Sequence, residues 1–139
     1  MFLNTNIVID FLADRRPVSL SAAKVFNYSL QGKVKVYISA VSYNNIYYIL
    51  RQSLTSSDTI KLLDGLCVMT EIADVTKAII KASLKTDFKD FEDAIQFNCA
   101  LSINKLDFIV TRDTKAFKKS TLPVLTPEQA ISSLENVSR

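Results

Sequence analysis

Two aspartates, Asp93 and Asp113, stand where a chain can hold a cation or a phosphate. Asp93 lies at the entrance of a predicted helix, in DFKDFEDAIQ, and Asp113 directly follows a strand-like run, in FIVTRD. A carboxylate at a strand's end and another at a helix entrance can meet over one Mg²⁺ or Mn²⁺. Such hard cations take oxygen ligands and keep several waters. Both positions also have plainer uses. An acid in the first turn complements the helix dipole, and an aspartate after a strand closes a turn or caps a helix.

Other charged groups lie close by. Asp87, Asp90, Glu92 and Asp93 form an acidic cluster that reads equally as a solvated loop before a helix. If Asp90 and Asp93 are both helical they share a face. Glu92 then points elsewhere and is the weaker ligand candidate. Arg112, Lys115, Lys118 and Lys119 follow, with Arg15 and Arg16 in another predicted loop. The lysines beyond Asp113 can contact phosphates or simply form solvated surface. The stretch Tyr43-Asn44-Asn45-Ile46-Tyr47-Tyr48 offers rings for base stacking. Its helical pattern favours packing instead.

Composition removes whole classes of chemistry. The 139 residues contain no histidine, which excludes His-based triads, His-ligated zinc and a histidine general base. Only 2 glycines are present, Gly32 and Gly65, so a glycine-rich phosphate loop is excluded. The net charge of +3 is a weak pointer to a polyanionic partner. Cys67 and Cys99 lie in apolar runs and are expected as buried free thiols. No segment is long and apolar enough for a transmembrane helix, so no membrane association is expected. The N-terminal MFLNTNIVIDFLADRR lacks a basic region before its apolar stretch. No signal peptide is therefore expected, and the cytoplasm is the default.

The elements that must position these groups alternate between strands and helices. Met1–Leu3 is a short apolar run, followed by a helix over Ile7–Ala13 with Asn6 able to cap it. A helix from Ser19 to Gln31 ends at Gly32, and Val34–Ile38 reads as a strand. Ser39 or Ser42 starts a helix to about Leu54. Ser57 or Asp58 caps another to about Leu66. Val68–Ile72 reads as a strand, Asp74 caps a helix over Val75–Leu84, and a further helix runs from about Phe91 to Ile103. Phe108–Thr111 is a strand, Lys115–Lys118 one helical turn, and Pro123–Leu125 an extended piece. Thr126-Pro127-Glu128 opens a last helix. The pattern predicts one α/β domain over residues 1–139, a three-layer α/β/α sandwich around a parallel sheet of four to five strands. Ligands in such sheets collect beyond the carboxyl ends of the strands.

FLNTNIVIDFL, DFEDAIQ and FIVTRD, in that order, resemble the PIN-domain family, most closely the VapC-like toxins of toxin–antitoxin pairs. The resemblance covers roughly residues 1 to 128. It implies a metal-dependent endoribonuclease that uses Mg²⁺ or Mn²⁺, acts on RNA, pairs with a small antitoxin protein and forms a homodimer. Asp93 falls on the family's third acid and Asp113 on the fourth, with Thr111 as the threonine of the last motif. Thr5 and Asn6 match the end of the first motif. The resemblance thus implies a metal set of Asp93, Asp113 and Asn4, with Thr5, Asn6, Thr111 and Asp90 in support and Lys115, Lys118 and Lys119 on phosphate.

Two positions depart from the family pattern. Asn4 stands where the first aspartate belongs, and Asn45, or Asn44 if the register slips by one, where the glutamate belongs. An amide offers a metal a carbonyl oxygen without charge, and it also donates hydrogen bonds. Metal affinity should fall unless Asp90, Asp10 or Glu92 compensates. Three readings stay open: a weakened or specialised nuclease, a module that binds RNA or an antitoxin without cutting, or a substitution introduced to silence a toxic enzyme. A receiver-like phosphate-handling domain fits less well, because the first strand ends in Asn-Thr-Asn rather than in paired acids.

Overall fold

The structure, a computed structural model, describes residues 1–137. Five short strands form its centre: β1 (Phe2–Leu3), β2 (Tyr37–Ser39), β3 (Glu71–Ala73), β4 (Ile109–Val110) and β5 (Val124–Leu125). They pair in parallel in the order β3-β2-β1-β4-β5. Phe2 stands opposite Tyr37 and Ile109, and Leu3 opposite Ile38 and Val110. Successive strand residues point to opposite faces. Leu3, Ile38 and Val110 therefore enter one core layer, and Phe2 and Ile109 the other. A parallel sheet covered on both faces needs apolar residues at both registers, which is why these strands read as unbroken apolar pairs.

The first layer is filled from α1 (Thr5–Leu12), α2 (Val18–Leu30), α3 (Ala40–Leu50), α4 (Ser56–Met69) and α7 (Pro127–Val137). Val8, Phe26, Ile46 and Leu66 are almost wholly buried there, each worth roughly 1.5–3 kcal/mol of burial. The rings of Phe11 and Phe26 stack at 4.3 Å. The second layer comes from α5 (Lys77–Lys85), α6 (Phe91–Leu101) and a 3-10 turn at Thr114–Phe117. The result is the expected α/β/α sandwich, with five strands.

Several boundaries differ from expectation. Asn4, not Asn6, caps α1, and its side chain accepts from the Thr5 N–H at 2.9 Å. The apolar run Val68–Ile72 splits: Val68 and Met69 finish α4, and pairing begins at Glu71, whose N–H donates to the Val36 carbonyl. The run Val34–Ile38 likewise pairs only from Tyr37. Thr55 rather than Ser57 or Asp58 caps α4, and Thr76 rather than Asp74 caps α5. Helix α3 ends at Leu50, short of Leu54. Cys67 lies on the exposed side of α4, so only Cys99 is a buried thiol. The start of α7 is as expected, and tighter: Thr126 and Gln129 exchange side-chain-to-backbone hydrogen bonds at 3.2 and 2.9 Å, a capping box behind Pro127. Among the described residues no helix is long and apolar enough to cross a membrane.

Candidate functional site

The strand order reverses at β1. From β1 the chain steps outward to β2 and β3, then returns to β4 on the other side. Beyond the carboxyl ends of β1 and β4 the connections diverge and leave a crevice, the usual place for a ligand in such sheets. Strand β1 leads into Asn4 and β4 into Thr111, and the Asn4 N–H donates to the Val110 carbonyl at 3.0 Å.

Thr111 Oγ1 is a hub. It accepts from Asn4 Nδ2 at 3.0 Å, from Asn6 Nδ2 at 3.2 Å and from the Asp113 N–H at 3.1 Å. A hydroxyl oxygen has two lone pairs and one proton of its own to place. Three donors crowd it, and among the described residues its proton finds no acceptor. A carboxylate at position 4 could accept from both the Thr5 N–H and the Thr111 hydroxyl. The amide accepts from the first and must donate to the second. The Asn6 Oδ1 is buried without a hydrogen-bond partner.

A second network ties α1, α3 and α6 together beneath the crevice. The Thr5 and Ser42 hydroxyls lie 2.7 Å apart. Gln96 Nε2 donates to both, at 3.2 and 2.9 Å, from a fully buried position. Asn45 Nδ2 donates to Glu92 Oε1 at 2.6 Å, and Thr5 Oγ1 donates to the same oxygen at 3.3 Å. Glu92 therefore does not point away from the site, contrary to expectation. Its side chain spans to the position where the family glutamate would stand. Asn45 rather than Asn44 makes this contact, and Asn44 is exposed.

The aspartates divide by role. Asp90 is the N-cap of α6, accepting from the Asp93 N–H at 3.0 Å, so it is not a helical residue sharing a face with Asp93. Asp113 caps the 3-10 turn, accepting from the Ala116 N–H at 3.3 Å. Among the described residues no hydrogen bond reaches the Asp93 carboxyl. Burial pushes that carboxyl up to about 6, and the neighbouring carboxylates of Asp90, Glu92 and Asp113 add to the rise. Asp10 lies elsewhere. It is buried and ion-paired to Arg112, with Arg15 Nη1 at 3.9 Å, so it cannot replace a lost ligand.

Two hollows meet here. One, of about 690 Å³, is lined by Asp90, Asp93, Asp113, Phe88 and the lysines Lys89, Lys115, Lys118 and Lys119. The other, of about 320 Å³, is lined by Asn4, Thr5, Asn6, Ile9, Arg15, Asp90, Glu92 and Asp93. Asp93 and Asp113 thus share the first hollow and Asp93 and Asn4 the second. Asn45 lines neither. Lys119 also pairs with Asp87 at 3.6 Å between exposed side chains. Gln96 is the residue that sequence reasoning passed over; Glu92 was ranked only as a weaker ligand, Arg15 only as a basic loop residue and Ser42 only as a helix start. Gln96 was detectable in principle, since it stands three positions after Asp93 on one helix.

The family model of the PIN domain matches residues 1–115. The chain belongs to the PIN domain family. No curated protein matches it. Among solved structures, a chain of VapBC2 from Rickettsia felis, bound to a DNA fragment from its promoter, is similar with a TM-score of 0.68. That match covers 90% of this chain and 96% of the other at 16% identity. A chain of FitAB bound to an IR36 DNA fragment is similar with a TM-score of 0.65, covering 91% and 94% at 17% identity. At such identities the likeness concerns the PIN fold.

The donors decide whether a divalent cation suits this PIN site. The carboxylates of Asp90, Glu92 and Asp113 crowd Asp93, a repulsion that a cation would relieve. Yet among the described residues no three acidic, cysteine or histidine side chains converge as a metal cage. The set suits an ion that keeps several waters and borrows phosphate oxygens, as Mg²⁺ characteristically does.

Proposed function

We propose that this PIN domain is a VapC-like, metal-dependent endoribonuclease, the toxin of a toxin–antitoxin pair, whose site is weakened by Asn4 and Asn45. PIN domains are in general nucleases, and the two similar structures come from complexes named VapBC2 and FitAB. The observation that carries the reading is Asp93: a carboxyl free of protein hydrogen bonds, pushed up to about 6, in one hollow with Asp113 and four lysines.

In this reading Asp93 and Asp113 hold Mg²⁺ or Mn²⁺, and Glu92 adds charge from the neighbouring hollow. Bound there, the metal supplies Lewis acidity for attack of water on an RNA phosphodiester. Thr111 fixes the backbone of Asp113 through its hydroxyl, and Thr5 orients Glu92. Asn4 contributes a neutral oxygen already engaged by the Thr5 N–H. Asp90 and Asn6 support Asp93 and Thr111 respectively. Lys115, Lys118 and Lys119 hold phosphates, and a small antitoxin, a homodimer and a cytoplasmic setting complete the proposal.

A second reading, a PIN module that binds RNA or an antitoxin without cutting, is favoured by the amides. Both Asn4 and Asn45 act as donors in formed hydrogen bonds. The decisive assay incubates the chain with several RNAs in Mn²⁺ and in Mg²⁺. The nuclease reading expects slow cleavage, abolished by EDTA and by Asp93→Ala. An inert parent chain that still binds RNA calorimetrically, with no heat from either metal, establishes the second reading instead.

A further inference from the structure

The two hollows share a wall made of Asp90 and Asp93, and each carries cations that the other lacks. Lysines line the hollow of Asp113, and Arg15 lines the hollow of Asn4. Beneath Arg15 lies Asp10, only 1% exposed. Both Asp10 oxygens are taken by Arg112, through Nε and through Nη2, the latter at 3.3 Å. Arg15 Nη1 approaches the same carboxylate only to 3.9 Å, and its side chain is half-exposed.

Two guanidinium groups thus stand on one buried carboxylate, leaving one positive charge unmatched. Arg112 has the close contacts. Arg15 is braced by the charge of Asp10, makes no side-chain hydrogen bond among the described residues, and lines the hollow with its side chain half-exposed. Guanidinium forks suit phosphate oxygens. The adjacent Arg16 differs: it pairs with the exposed Asp14 at 3.5 Å and lines neither hollow.

We propose that Arg15 grips a backbone phosphate on the opposite side of the Asp93 wall from Lys115, Lys118 and Lys119. One RNA strand then crosses the carboxylates with phosphates held on both sides, the arrangement that internal cleavage requires. The inference rests on the nuclease reading and names how its substrate lies.

The test measures binding, not turnover. Fluorescence anisotropy follows a fluorescein-labelled single-stranded RNA across a salt series, in EDTA and in Ca²⁺ buffer. The chain is compared with Arg15→Ala, Arg15→Lys, Arg16→Ala and Lys118→Ala. Arg15→Ala should weaken binding roughly 3–10-fold and reduce the salt slope by about 0.7, the loss of one phosphate contact on a single strand. Lys118→Ala should act similarly, Arg15→Lys should fall between, and Arg16→Ala should match the parent. A parent that binds while Arg15→Ala keeps its affinity and slope overturns the inference and leaves the nuclease reading standing. A parent that binds no RNA in either buffer removes both.

Discussion

The side-chain amide of Asn4 donates to Thr111 Oγ1 across 3.0 Å, joining the ends of two neighbouring parallel strands. The direction of that bond matters. The Thr111 oxygen is loaded with donors, while its own proton has no acceptor among the described residues. The geometry suits an acceptor at position 4 better than a donor.

Asn4→Asp should therefore raise Mn²⁺-dependent RNA cleavage without disturbing the fold. The new carboxylate would accept from the Thr5 N–H and from the Thr111 hydroxyl, and would add a charge beside Asp93. One unit charge at 4 Å is worth about 4 kcal/mol at an effective dielectric near 20, partly offset by desolvation and ligand repulsion. A gain of about tenfold or more in kcat/KM is expected, each tenfold corresponding to about 1.4 kcal/mol. If both proteins are inert on several RNAs in both Mn²⁺ and Mg²⁺, the catalytic reading ends.

Asn45→Glu should behave in the opposite way. Asn45 Nδ2 donates to Glu92 at 2.6 Å, so a glutamate there sets two carboxylates against each other. In EDTA at neutral pH the variant should lose roughly 1–2 kcal/mol, after screening of a half-buried pair. Glu92→Gln should restore that loss in the double variant, because an amide is again opposed to an acid. A thermal-melt double-mutant cycle reads the coupling directly. Additive changes would show that Glu92 and the side chain at position 45 do not interact in solution.

These contrasts also show where sequence reading stops. The sandwich was legible because FLN, FIV and the TPEQ helix start carry unambiguous local signals: unbroken apolar pairs and a capping box. The split of Val68–Ile72 between α4 and β3 was not, since periodicity cannot divide one apolar run between a helix end and a strand start. Asp93 and Asp113 stood out by their places beside a helix entrance and a strand end. Glu92 ranked below Asp90 only on the condition that Asp90 is helical, and Asp90 is instead the cap. Its partner Asn45 lies on another helix far away in the chain, so no local pattern records the contact.

Metal-free stability should fall as pH rises, through Asp93. Burial, with the neighbouring carboxylates of Asp90, Glu92 and Asp113, pushes its folded carboxyl up to about 6, above the ordinary aspartate value. The unfolded chain therefore releases this proton first, and the folded state is favoured while the group stays protonated. That advantage is fully present below the unfolded value and is lost as pH rises through about 6. Asp93→Asn should be more stable than the parent in EDTA near neutral pH, and no more stable in acid. The linkage arithmetic allows about 3 kcal/mol, which solvent screening at this half-exposed group reduces to roughly 1. Urea midpoints at both pH values decide it; a variant less stable than the parent near neutrality contradicts the assigned crowding.

The Arg112–Asp10 pair should prove structural, and its loss should reach the site through Thr111 and Asp113, the residues flanking Arg112. Arg112→Ala strands a carboxylate that is 1% exposed, with only Arg15 left at 3.9 Å. Removing one partner of a buried pair costs about 3–5 kcal/mol. Arg15 and partial exposure of the guanidinium side should hold the loss to roughly 2–3 kcal/mol. Adding Asp10→Asn should recover part of it, since a neutral amide tolerates burial without a counter-charge. Arg112→Lys should fall between, because a point charge cannot reproduce the two-pronged contact. Chemical denaturation of the four proteins supplies the comparison. A loss below about 0.5 kcal/mol for Arg112→Ala would make the pair an ordinary surface contact, and would free Arg112 to act on substrate instead.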